Sequence, residues 1–130
     1  MAMPLAVRRE FFSWADEALR QPIPQETVAF HFNLYQGTNS VHVQLMGTAS
    51  FNSGDQYWPG PKTFSTGEGI FKVPFESAGA EWPEWLETLK SLVNAYIESG
   101  NMSTVLKKSQ GVGIGFVDGY MYGLWPTPAA

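Results

Sequence analysis

Two runs of strict alternation, Thr27 to Tyr35 and Val41 to Leu45, constrain this chain more than any other feature. In the first, Val28, Phe30, Phe32 and Leu34 share one face and Thr27, His31, Asn33 and Tyr35 the other. In the second the apolar residues sit at odd positions, Val41, Val43 and Leu45, with His42 and Gln44 opposite. A two-residue side-chain period is the mark of a half-buried strand, and Gly37-Thr-Asn-Ser40 between the runs supplies a turn. Because the core face is even-numbered on one strand and odd-numbered on the next, the register is nearly determined. A turn centred on Thr38-Asn39 pairs Leu34 with Val43, Phe32 with Leu45 and Tyr35 with His42. Slipping by one residue would bury His42 and Gln44. Gly47, further along the second strand, predicts a bulge or bend.

The stretch from Gly111 to Trp125 carries a second hairpin signal. Its apolar and aromatic runs flank Asp118-Gly119, a pair able to supply the positive-φ residues of a tight primed turn. Glycines 111, 113 and 115 fall on one face, opposite Val112, Ile114 and Phe116, so a helix or another backbone can approach that bare face closely. Helical periodicity marks two segments. From Val7 to Leu19, Phe11, Phe12, Ala15, Ala18 and Leu19 line one side, with Arg8, Arg9, Asp16, Glu17 and Arg20 elsewhere; Pro22 and Pro24 stop the helix. From Trp82 to Ile97 the apolar residues recur at three- and four-residue steps, starting at Trp82 and Trp85 and ending at Tyr96 and Ile97. Pro83 suits the first helical position, Gly100 predicts a left-handed stop, and Ser103 predicts a cap for a short helix through Lys108. Gly69 to Pro74 reads as a third strand whose proline and brevity suggest an edge or a strand end. Asn52 to Thr66, dense in turn formers, reads as an irregular connection, and loops of that length are often functional.

These elements predict an α+β fold, a single-layer antiparallel sheet of about five strands with two main helices packed on one face, in the order α-β-β-β-α-β-β. No repeat or linker divides it, so residues 1–130 are expected to be one domain with flexible ends at 1–6 and 126–130. Composition agrees: 44% hydrophobic and 15% aromatic residues supply a core, and at this length roughly two thirds of the extended-chain surface is buried on folding. With no cysteine, packing alone must hold the fold. The basic pair Arg8-Arg9 follows the short apolar start instead of preceding it, unlike a secretory signal, and no apolar run reaches the roughly eighteen residues of a membrane span. The expected setting is the cytoplasm.

Chemistry is scarce. There is no Gly-x-Ser-x-Gly elbow, and Ser53, Ser65 and Ser103 lie beside turn or cap signals. Gly111-Val-Gly-Ile-Gly115 lacks the spacing of a dinucleotide loop and leads into a turn. Asp118 is already committed to that turn. No catalytic residue, metal or cofactor is therefore assigned. His31, Tyr35 and His42 share the outer sheet face and form one candidate site, for a small molecule or an acid–base pair, although ordinary solvated or sheet-packing histidines are the favoured reading. Asp55, Tyr57 and Trp58, with Glu68, form the other: aromatic residues among turn formers with acids nearby have the character of interface anchors, while a Trp58 folded back as a lid on the core is the alternative.

Ala49 to Trp58, Trp85 to Gly100 and Gly113 to Gly119 together resemble a small uncharacterised bacterial α+β family, some of whose members are similar to immunity proteins of polymorphic-toxin systems. The likeness spans about Thr27 to Trp125, and its motifs are structural, with no catalytic residue to carry over. It implies a non-catalytic protein-binding module. The formal net charge of −4, with eight scattered Lys and Arg, argues for a basic protein partner and against nucleic acid. Sheet edges at Gly69 to Val73 or at the last strand could also pair two copies as a homodimer.

Overall fold

A computed structural model describes residues 4–52, 61–117 and 119–126. In chain order they form α1 (Leu5–Arg20), β1 (Ala29–Gln36), β2 (Ser40–Thr48), β3 (Lys62–Ser65), β4 (Phe71–Pro74), α2 (Phe75–Ala78), α3 (Trp82–Ser99), α4 (Ser103–Lys107), β5 (Gly111–Phe116) and β6 (Tyr122–Trp125). The α+β class is as expected. The sheet differs from expectation in two respects: it has six strands, and one pairing is parallel.

The first hairpin has the register that its alternation requires, with Leu34 opposite Val43, Phe32 opposite Leu45 and Tyr35 opposite His42. Gly37 donates its N–H to the Ser40 carbonyl at 2.8 Å, closing the turn over Thr38-Asn39. The bulge also lies where Gly47 placed it, since the β2–β3 register shifts between Gly47 and Thr48. A Cβ on Gly47 would lie 2.7 Å from Thr27 Cγ2 and 3.1 Å from Phe64 Cβ, so close packing excludes a side chain there. The extra strand, β3, occupies part of the segment read as irregular. Only Phe64 of its four residues is buried, too little pattern for alternation to reveal it. β4 is an edge strand beside β2 and ends at Pro74, as its composition indicated.

The sheet order is β3-β2-β1-β5-β6, with β4 also against β2. β1 is central, antiparallel to β2 and parallel to β5, from Ala29 beside Gly111 to Leu34 beside Phe116. Parallel neighbours need a crossover. Here the chain between β2 and β5 runs through β3, β4 and three helices before returning beside β1.

The helices cover one face. Phe30, Phe32 and Leu34 of β1, Val41, Val43 and Leu45 of β2, and Val112 and Ile114 of β5 are buried in one cluster with Phe11, Ala15 and Leu19 of α1 and Leu86, Leu89 and Val93 of α3. Phe11 is its hub, edge-on to Phe71 at 5.4 Å and to Tyr96 at 6.4 Å. Each such side chain contributes about 1.5–3 kcal/mol of gross burial energy.

Four local expectations are corrected. Trp82, first of the α3 stripe, is 58% exposed, with its ring edge-on to Phe116 at the end of β5. Gly100 has φ −68°, not a left-handed value. It is glycine for room: a Cβ would lie 2.3 Å from the Tyr96 ring. Ser103 is the buried first residue of α4 and caps nothing. The last hairpin is wider than expected, since β6 begins only at Tyr122 and the Gly119 N–H reaches the Phe116 carbonyl at 2.9 Å, while Asp118 of the expected turn lies outside the described residues. The bare face of β5 does receive a backbone, because a Cβ on Gly115 would lie 2.2 Å from the Tyr120 carbonyl oxygen.

Candidate functional site

His31, Tyr35 and His42 do project from the sheet face away from the helices, but they do not converge. His31 lies opposite Met46, and His42 lies opposite Tyr35, four positions along the strand, about 14 Å at the usual rise per residue. Asn33 and Gln44 fill the interval and bond to each other at 3.1 Å. A shared metal would need both imidazoles within about 2 Å of one ion. No cluster of three His, Cys, Asp or Glu able to hold a metal occurs among the described residues. Burial pushes the His31 imidazole down to about 4, so it is neutral near pH 7. His42 is lowered by desolvation and then by the Lys72 charge. Its ring stands edge-on to Tyr35 at 5.0 Å and lies against Gly37. Tyr35 and His42 are thus brought together as a packed cross-strand pair.

Of the other candidates, Asp55, Tyr57 and Trp58 lie outside the described residues. Glu68 is exposed in the turn between β3 and β4, where the Gly69 N–H reaches the Thr66 carbonyl at 2.8 Å.

Periodicity gave no hint of a polar node under α1. Asp16 is only 8% exposed; its Oδ1 accepts the Tyr96 hydroxyl at 2.6 Å and its Oδ2 the Asn101 amide at 3.1 Å. The Tyr96 oxygen in turn accepts the Met102 N–H at 3.2 Å. Desolvation, with the hydrogen bond to Asp16, pushes the Tyr96 phenol well above its ordinary range. The node ties α1 to α3 and to the segment leading into α4.

The feature with the character of a recognition site is a cleft of about 320 Å³ between the start of α3 and the loop end of the β5–β6 hairpin. From α3 come Trp82, Trp85 and Leu86; from the strands, Phe116 and Tyr122; from the connecting loop, Tyr120. The Trp82 and Phe116 rings meet at 6.2 Å and 86°, forming a right-angled corner. Trp85 is fixed from behind, stacked on Phe75 at 4.9 Å and 5° and donating its indole N–H to the Gly79 carbonyl at 2.8 Å. Gln36, at the end of β1, adds an amide to the wall beside the hydroxyls of Tyr120 and Tyr122. Four large hydrophobic residues are exposed among the described residues, and Trp82, Val117 and Tyr120, at 58, 54 and 50%, are three of them. All three rim this cleft or flank it in the chain. One sequence signal pointed here: Val117 and Tyr120 are apolar residues on either side of a turn, where polar ones are usual.

The surroundings are acidic. Glu76, Glu81, Glu84 and Glu87 are exposed, and no Lys or Arg lies between Lys72 and Lys90. Lys90 itself is held by Glu87 at 3.3 Å and lies 4.2 Å over the Tyr122 ring. Among the described residues no helix is long and apolar enough to cross a membrane.

Comparison with known proteins adds no relative: no protein-family model, no curated protein and no solved structure matches the chain.

Proposed function

We propose that this chain is a non-catalytic protein-binding module, immunity-like in the sense of the resemblance noted above and acting in the cytoplasm, that docks a basic partner at the aromatic cleft. The observation that carries this reading is the exposure of Trp82 and Tyr120 on the wall of one cavity, with exposed Val117 next to its Phe116 in the chain. Isolated exposed apolar residues are unremarkable on a protein surface, whereas a contiguous aromatic patch with a polar rim marks an interaction site. Tryptophan and tyrosine are the residues that most often anchor an interface. The glutamates at 76, 81, 84 and 87 would draw in a positively charged partner and speed its arrival.

A photo-crosslinking residue placed at Tyr120, with another at Leu5 as control, tests this proposal. Leu5 is 59% exposed but does not line the cleft. In the native cytoplasm, position 120 should yield one dominant adduct to a protein of high isoelectric point, lost on adding Trp82→Ala. Identical adducts at both positions, or none at 120, would overturn the proposal. Trp82→Ala should also lower the melting temperature by no more than about 2 °C, because a largely exposed side chain contributes little to the fold.

A further inference from the structure

We infer that the cleft between α3 and the β5–β6 hairpin is a receptor for a single arginine side chain of the partner, held by cation–π contact on the Trp82–Phe116 corner; this rests on the docking role proposed for the same cleft.

Size, wall chemistry and field each narrow the occupant. A cavity of about 320 Å³ lies at the lower limit for sites that enclose drug-sized molecules, and suits one inserted side chain better than a cofactor. The walls offer π faces from two directions, with Trp82 and Phe116 perpendicular and Trp85 immobilised behind them by Phe75. The negative face of an aromatic ring attracts a cation within about 6 Å of its centre. The chain already uses this wall that way, with Lys90 Nζ 4.2 Å over Tyr122. Because Glu87 neutralises that lysine at 3.3 Å, Lys90 leaves the corner open to a second cation, and Glu81 and Glu84 flank Trp82 in the chain.

The wall also selects among cations. Apart from the hydroxyls of Tyr120 and Tyr122, the polar side chain lining the cavity is Gln36, so an ammonium would give up strong hydration with few acceptors in return. A guanidinium is planar, weakly hydrated and stacks on aromatic faces. One N–H directed at the Gln36 amide oxygen would leave the rest of the group against rings.

N-acetyl-arginine amide and its uncharged near-isostere N-acetyl-citrulline amide, each titrated into the full chain, decide the matter. The indole N–H resonances of Trp82 and Trp85 report occupancy. Arginine should bind about three- to thirtyfold tighter than citrulline, the range that cation–π energies imply, and weaken as salt is added. Trp82→Leu, which keeps apolar cover but removes the π face, should reduce arginine to the citrulline level; Phe116→Leu, which removes the other ring of the corner, should do the same. Equal binding of the two amides, or no shift of either indole at the solubility limit, overturns the inference. A cross-linked partner at Tyr120 together with equal amide binding would sink the arginine receptor while leaving the docking surface. Arginine-selective binding with no cross-linked protein would do the reverse.

Discussion

Asp16 and His31 show two fates of a polar side chain taken out of water. Asp16 keeps two donors, the Tyr96 hydroxyl and the Asn101 amide, and so serves as a structural pin. Tyr96→Phe deletes one donor without opening a large cavity, and should cost about 1–3 kcal/mol in urea unfolding; no change would mean that water replaces the hydroxyl. His31 instead stays neutral, with its pKa lowered by burial to about 4 from 6.5. The unfolded chain therefore takes up this proton first as the pH falls. The stability at stake is fully present above pH 6.5 and is lost as the pH drops towards 4, on the order of 3 kcal/mol at most. Unfolding midpoints at pH 7.5 and 4.5 should fall further for the parent than for His31→Gln. Equal falls would mean that the folded protein accommodates a charged His31.

At the scale of elements, the hairpins divide according to how locally they are determined. The β1–β2 ribbon follows from the parity of its apolar residues and a turn of matching length, both present within its own segment. The β5–β6 ribbon does not, because its connection must pass over Gly115, with the Tyr120 carbonyl 2.2 Å from where a Cβ would stand. Gly115→Ala must push back a backbone, not a pliable side chain, and should cost about 1–3 kcal/mol of stability. Because the same loop carries Tyr120 into the cleft wall, that variant should also broaden or shift the Trp82 indole resonance. An alanine variant with parental stability would show that the loop gives way freely. Helix α3 makes a similar point. Its buried stripe from Trp85 to Ile97 was legible as periodicity, but the exposure of Trp82 was not, since a stripe says which face is apolar and not how much of it the rest of the fold covers.

For the whole molecule, the decisive feature is the parallel contact between β1 and β5. It joins the first hairpin to the last through a crossover of three helices, and the ladder is extended by Gln110 N–H to the Val28 carbonyl at 2.7 Å and Val117 N–H to the Leu34 carbonyl at 2.9 Å. Neither ribbon then completes its core without the other. Urea transitions followed by tryptophan fluorescence and by far-ultraviolet circular dichroism should coincide; two separated transitions would show that the halves fold apart.

By itself the sequence determined the α+β class, the two long helices, the register of the first hairpin, the bulge at Gly47 and the edge position of β4, because each depends on side-chain periodicity or backbone chemistry within a short window. The parallel pairing, the strand β3, the separation of His31 from His42, the Asp16–Tyr96 bond and the cleft came from the folded arrangement. These depend on which residues distant in the chain come to lie together. Trp82 and Tyr120 are far apart in sequence and belong to elements of different period, and only the meeting of a helix start with a hairpin end makes them two walls of one site.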